Sequence, residues 1–287
     1  MNRSISTLAG ARRKLDGGVL FGHTPRLRWS QWMKPDQDNM VDVASRALLV
    51  RQYGQNILVV SGAEAILEPP RRTCRCQPPI VGLLDNLSLL GVSEGEVDAV
   101  VLTHMQVQTS DQLRRQVRDG DIPRVLFPNA RYIAGKRQWL RARHPHPRDR
   151  NRFLGALVNQ LDSTGRLTLI DGSTCDELGE GWHFHYSDGY TPGQLLPEIL
   201  LPGGKVLFAG DLIPGTHWLN LDVNSANDRN PECVAGDKER LLDDLVANGG
   251  RLVFSMDPEV AMIKVMRDRH ARYVPYDSYS SLNRFDC

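Results

Sequence analysis

At 287 residues, with 35 basic and 34 acidic side chains, the chain can build a sizeable core and has no charge excess that would select nucleic acid or a membrane surface. No apolar run approaches the ~18 residues of a membrane span. The five scattered cysteines (Cys74, Cys76, Cys175, Cys233 and Cys287) point to a reducing cytoplasm rather than a disulfide framework.

The opening residues, MNRSISTLAGARRKL, are basic, contain no acid and lack the apolar core of a secretory signal, so residues 1–15 read as a flexible N-terminal tail. ALLVRQYGQNILVV follows as a hairpin turning at Tyr53-Gly54-Gln55-Asn56. Cys74-Arg-Cys76 has no second Cys/His pair at zinc-site spacing, and no structural metal is expected there. Residues 80–90 have an apolar helical face that stops at Gly91. The runs NILVVSG, AVVLTH, RLTLIDG, KVLFAGD and RLVFSMD have the length and β-branched content of buried strands.

Between AVVLTH and RLTLIDG, Ser110 or Asp111 caps a predicted helix over QLRRQV. The basic segment 135–152, GKRQWLRARHPHPRDRNR, reads as a solvated helix followed by a proline-broken loop, with phosphate or nucleic-acid recognition as the sharper alternative. His183 and His185 alternate along HFHYS and share a strand face, a structural pair in the simpler reading. Residues 238–247 form an amphipathic helix ending at Asn248-Gly249-Gly250. Asp257-Pro258-Glu259 reads as the cap and first turn of a helix over VAMIKVM. No composition break divides the chain, so one domain over residues 16–276 is expected, with 277–287 as a C-terminal tail.

Functional groups collect where buried strands end. Here those residues are His104 after AVVL, Asp211 after LFAG, Met256-Asp257 after LVFS, and the segment Asp188-Gly189-Tyr190-Thr191-Pro192-Gly193 after HFHYS. Taken singly, each has a structural reading, as a hydrogen-bonded core histidine or a loop-capping aspartate. There is no nucleophile elbow, P-loop or dinucleotide fingerprint.

As an ordered set, THMQVQT, GYTPG, FAGDLIP and FSMDPE resemble the metallo-β-lactamase superfamily, in its lactonase and organophosphate-hydrolase branch. LDGGVLFG, DLIPGTHW and GDKERLLDDL extend the likeness over residues 15–275. The resemblance implies an α/β fold, a metallo-β-lactamase-like αββα sandwich of two mixed sheets with helices on the outer faces. It also implies a dinuclear metal centre held by histidines and aspartates at seven positions. Carried onto this chain, those positions hold His104, Gln106, Gln108, Thr109, Tyr190, Asp211 and Met256, and Val60 replaces the aspartate of the early LVDTG motif. Only His104 and Asp211 keep the family's residue type.

Glutamine, threonine and methionine are poor zinc ligands beside imidazole and carboxylate, and a catalytic zinc site needs about three protein ligands and an open position. The expectation is therefore that no cofactor is bound, with His104 and Asp211 as residual candidates for a single ion, joined by a Tyr190 phenolate if the metal is iron. The bland alternative has Tyr190 filling the vacated space and hydrogen-bonding Asp211 or His104. Gln106, Gln108, Thr109, His217 and Met256 are expected to line a ligand pocket.

The leading expectation is a non-hydrolytic pseudoenzyme that binds a small molecule or pairs with a related active protein, without nucleic acid or membrane and with homodimerisation left open. The first alternative is a metal-independent or mononuclear enzyme acting on a lactone, ester or related metabolite, with Tyr190, Asp211 and His104 as acid–base groups. The second is an ordinary metallohydrolase with relocated ligands.

Overall fold

In the computed structural model, residues 3–10, 12–68, 79–107 and 124–286 are described. The strands in chain order are β1 (Arg3–Ala9), β2 (Arg13–Asp16), β3 (Met40–Val43), β4 (Arg46–Gln52), β5 (Gln55–Val60), β6 (Ala99–Leu102) and β7 (Arg131–Gly135). They continue as β8 (Leu167–Ile170), β9 (Trp182–Ser187), β10 (Gln194–Leu201), β11 (Gly204–Phe208), β12 (Arg251–Val253), β13 (Met262–Arg267) and β14 (Tyr273–Tyr279). The described helices are α1 (Gly17–Phe21), α2 (Arg26–Trp29), α3 (Pro79–Leu89), α4 (Lys136–Arg143), α5 (Gly155–Ser163) and α6 (Pro231–Asn248).

Two six-stranded sheets carry the chain, ordered β1-β4-β5-β6-β7-β8 and β14-β13-β12-β11-β10-β9, beside a small β2-β3 pair. Both are mixed: β5, β6, β7 and β8 run parallel in the first, and β11 runs parallel to β12 in the second. Continuous apolar runs form these strands because both faces are buried. On β5, Ile57 and Val59 pack between the sheets, while Leu58 and Val60 face the layer containing α3 and α4. On the second sheet Phe208 and Val253 point inward, and Leu207 and Leu252 pack outward against α6. The result is the four-layer αββα arrangement expected from the sequence. Each fully buried Val, Leu or Ile contributes roughly 1.5–3 kcal/mol.

The β4–β5 hairpin turns on Tyr53 and Gly54, both at positive φ (49° and 80°), the primed turn that matches strand twist. Helix α3 ends as expected at Gly91, which takes a φ of 73°. Helix α6 begins earlier than its apolar face suggested, because Asn230 Oδ1 accepts from Cys233 N and Pro231 occupies the first turn.

Three expectations are corrected. The N-terminal segment is a strand rather than a tail: residues 3–9 pair with β4, and Ile5 and Leu8 are fully buried. Its buried Arg3 donates to Gln52 Oε1 (2.8 Å) and to the carbonyls of Glu180 (2.6 Å) and Leu200 (2.8 Å), stitching the two sheets together. The C-terminal segment also packs, with Phe285 bridging to Ile5 and Leu282 buried. Finally, VAMIKVM contributes strand β13, not a helix. Asp257 Oδ1 does accept from the amides of Glu259 and Val260 like a cap, but the chain turns back into a sheet pairing with β12 and β14.

Candidate functional site

The strand ends converge as their order along the chain suggested. β6 delivers His104, β11 delivers Asp211, and the turn between β9 and β10 delivers Tyr190. His104 Nε2 lies 3.2 Å from Asp211 Oδ2, and its ring centroid is 5.2 Å from that of Tyr190. Asp211 Oδ1 accepts a short hydrogen bond from Ser61 Oγ, and Tyr190 adds a further hydrogen bond to the carboxylate. Burial alone would raise the Asp211 carboxyl, but attraction to His104 and the hydrogen bonds from His104, Ser61 and Tyr190 hold it down to about 2. Burial, then the Asp211 carboxylate, push the Tyr190 phenol well above the ordinary range. The phenol is therefore a donor to Asp211, while its oxygen accepts from Arg152, whose guanidinium also stacks 5.1 Å from the ring centroid.

Beneath this cluster lies a layer of buried amides. Gln106 Nε2 and Gln138 Nε2 both donate to Thr191 Oγ1, at 3.2 and 3.1 Å. Gln106 thus braces the turn that presents Tyr190 and does not reach the open cavity, where its neighbour Val107 is found instead. Met256 is 93 % buried and stands on the cavity wall. His217 does not: it stacks on Trp32 (5.4 Å, 11°) and leaves Trp218 on the wall. Gln108, Thr109 and the helix predicted over QLRRQV lie outside the described residues, as do Cys74, Cys76 and Cys287.

The cavity above Tyr190 and Asp211 has a volume of about 590 Å³, within the range of small-molecule sites. The β2–α1 segment forms one side of it, residues 148–152 another, and residues 225–228 a third. Asp211 and Met256 also border a smaller cavity of about 30 Å³ beside Ser61, Arg46 and Ser255. Sequence reasoning missed Ser61 and Asp228, and held Arg152 only as part of the basic segment 135–152. Ser61 ends strand β5 and was legible by the same strand-end rule. Arg152 lies 38 residues from Tyr190, and only the fold brings them together. Asp228 is buried by tertiary packing, which pushes its carboxyl up to about 6 against the pull of the Ser225 amide and Lys238.

No family model and no curated protein matches this sequence. Among solved structures, the chain is similar to a probable metal-dependent hydrolase from Staphylococcus aureus (20% identity over 97% of this chain and 98% of that one, TM-score 0.75). It is also similar to the hydrolase AbOPH of the β-lactamase superfamily (19% identity, 96% and 94% covered, TM-score 0.72). The chain has the metallo-β-lactamase fold. AidC, a dizinc quorum-quenching lactonase solved with a product, is a further neighbour at 17% identity, with 98% and 96% covered and a TM-score of 0.68.

These metallo-β-lactamase-fold neighbours overturn the expectation that no cofactor is bound. One is a dizinc enzyme and another a probable metal-dependent hydrolase, so the fold lends no support to that expectation. The donor set was nevertheless compared with a dinuclear centre. Among the described residues no three His, Cys, Asp or Glu side chains gather closely enough to hold a metal ion. His104 and Asp211 hydrogen-bond each other, and the remaining described ligand positions present an amide, a phenol and a thioether. These donors do not fit a dinuclear centre, and no step is derived through one. Also among the described residues, no helix is long and apolar enough to cross a membrane.

Proposed function

We propose that this chain is a non-hydrolytic member of its fold that binds a small molecule in the cavity above Tyr190 and Asp211. One observation carries the reading: the Asp211 carboxylate and the Tyr190 hydroxyl at the cavity floor are committed to neighbouring side chains. Asp211 accepts from Ser61, His104 and Tyr190, and Tyr190 accepts from Arg152. A carboxylate held that far below the ordinary range is a weak base, and a phenol held far above it is a poor acid or nucleophile. The site keeps the volume of a ligand pocket while its reactive groups serve as a rigid floor.

The test pairs turnover with binding. Protein supplied with zinc, iron and manganese is assayed on lactones, carboxylic esters and phosphate esters beside Asp211→Asn, and small molecules are screened by thermal shift beside Val19→Trp, which fills the cavity. The expected result is no turnover above a protein-free blank, with Tm increases that vanish in Val19→Trp. Turnover of a lactone, carboxylic ester or phosphate ester that Asp211→Asn or Asp228→Asn abolishes overturns the proposal.

A second reading, an acid–base enzyme, is favoured by one specific observation. Asp228 shares the cavity with Tyr190 and is pushed up to about 6, which makes it both a proton donor and an acceptor near neutrality. That reading requires turnover that is lost in Asp228→Asn and retained in Asp211→Asn.

A further inference from the structure

The basic segment 135–152 is the sequence feature that the binding reading leaves unexplained. It supplies two guanidinium groups to the cavity wall, Arg148 and Arg152. Arg13 and Lys14 also line the cavity, on its β2–α1 side, but each has a carboxylate: Glu64 at 3.4 Å and Asp36 at 2.6 Å. Neither Arg148 nor Arg152 forms an ion pair with any described carboxylate. Arg148 reaches only the Asp228 carbonyl at 3.4 Å, and Arg152 reaches the Tyr190 hydroxyl.

The carboxylates of the wall are already engaged. Asp16 accepts from Val19 N (2.9 Å) and Asn39 Nδ2 (3.1 Å), and Asp228 accepts from Ser225 N (2.7 Å). Asp211 is satisfied by its three donors.

The loop bearing the two arginines is built rather than loose. Arg141 donates to the buried Asp149 through Nε (3.0 Å) and a terminal nitrogen (2.9 Å), clamping α4 to the loop. Arg150 N and Asp149 N both bond the His146 carbonyl, and Val107 N bonds the Arg152 carbonyl at 2.8 Å, tying the loop to the end of β6. Ordering two long cationic side chains at a cavity costs conformational entropy, and with no close ion pair, only a longer-range attraction between Arg152 and the Asp228 carboxylate, they forgo much of the compensation an anion supplies. The cavity lining also holds apolar side chains, Leu20, Leu212, Pro214 and Trp218.

We propose that the ligand is an organic anion whose carboxylate or phosphate group is bound by Arg148 and Arg152, with its apolar part lying against Leu20, Leu212 and Trp218. This inference rests on the ligand-binding reading above and specifies its chemical class.

Isothermal titration with octanoate, octyl phosphate and the neutral octanamide tests it on the full chain. Octanoate or octyl phosphate should bind at least about tenfold more tightly than octanamide, as a charge-assisted pair of contacts implies. Whichever of the two binds more tightly distinguishes a carboxylate from a phosphate ligand. Arg148→Ala and Arg152→Gln should each weaken the anion about tenfold and leave octanamide unchanged, while Arg150→Ala, on the same loop but off the wall, should match wild type. Retained circular dichroism and Tm in these variants separate lost binding from lost folding. Equal affinity for octanamide and the anions, or anion binding indifferent to both wall variants, overturns the anion inference and leaves the binding reading standing. Binding of none of the three probes overturns the anion inference, whereas the binding reading is decided separately by the thermal-shift screen and Val19→Trp.

Discussion

The floor of the cavity and its arginine-bearing wall follow opposite rules. At the floor, His104, Ser61, Tyr190 and Asp211 are buried or nearly so, and every charge has a partner within hydrogen-bonding reach. On the wall, Arg148 is exposed and Arg152 half-buried, and neither forms a close ion pair with a described carboxylate, although Arg152 attracts Asp228 at longer range. A buried polar group without a partner costs stability, so the fully engaged Asp211 carboxylate contributes to holding the two sheets together, while His104 Nδ1 is left buried without a partner among the described residues. An exposed cation without a partner costs little, so its position is explained by what it meets from solution. The floor is thus structural, and recognition is the role proposed for the wall.

The largest effect is expected at the centre of the floor. Asp211→Ala removes the acceptor for Ser61, His104 and Tyr190 and leaves those donors buried. It should destabilise the protein by ~3 kcal/mol in urea unfolding at pH 7. The pH dependence follows from the carboxyl held down to about 2. Its folded value lies below its unfolded value, so its contribution is complete above about pH 4 and is lost as pH falls through about 2. The variant should lack that acid limb. A loss under ~0.5 kcal/mol would mean that the floor is not a structural unit.

Asp228 has the reverse sign. Its folded value, about 6, lies above the unfolded one, so the folded state is favoured below about pH 4 and loses that advantage as pH rises through about 6. Replacing it with Asn keeps an oxygen for the Ser225 amide and removes the buried charge. Asp228→Asn should stabilise the protein by ~2 kcal/mol at pH 7.5 and by little at pH 4. Equal stability of variant and wild type at both pH values would show that Asp228 is not desolvated in solution.

How much of this was legible in the sequence follows the same physical division. Strands buried on both faces announce themselves as apolar runs, so β5, β6, β11 and β12 were readable. Strand β10 was not, because QLLPEILL contains Pro197, which argues against a central strand, yet here it lies opposite Phe184 of β9 and just outside the register with β11. RSISTLA alternates polar and apolar residues inside a basic stretch, and only its pairing with β4 shows that Arg3 is an internal clamp. In the site, His104, Asp211 and Tyr190 were legible because strand ends are ordered along the chain. Arg152 was visible only as one of the basic residues of segment 135–152, and Asp228 acquires its role from burial and neighbours on distant elements and leaves no local pattern. The local cap at Asp257 is real, yet it misled, since the same amide-capping geometry serves a helix start and a tight turn alike.

Tyr190→Phe tests the contact between the two regions, because its hydroxyl donates to Asp211 and accepts from Arg152. The ring and its packing remain, and half-buried Arg152 can recover water, so the cost should be ~1 kcal/mol. With one donor gone, Asp211 loses part of what holds it down, and the acid limb of the stability profile should move to higher pH. An unchanged limb would place Tyr190 outside the floor network.

The smallest stability effect is expected at Arg148, and its smallness is informative. Its guanidinium makes one long contact, to the Asp228 carbonyl at 3.4 Å, and no ion pair with a described carboxylate. Arg148→Ala should change stability by less than ~0.5 kcal/mol in urea, as surface substitutions do. A residue selected for structure loses stability when removed, whereas one placed for recognition loses affinity alone. If Arg148→Ala instead costs ~2 kcal/mol, the loop needs that side chain to fold and the wall is structural like the floor. If stability holds and octanoate or octyl phosphate binding falls about tenfold, the arginine is positioned for an anion that arrives from solution.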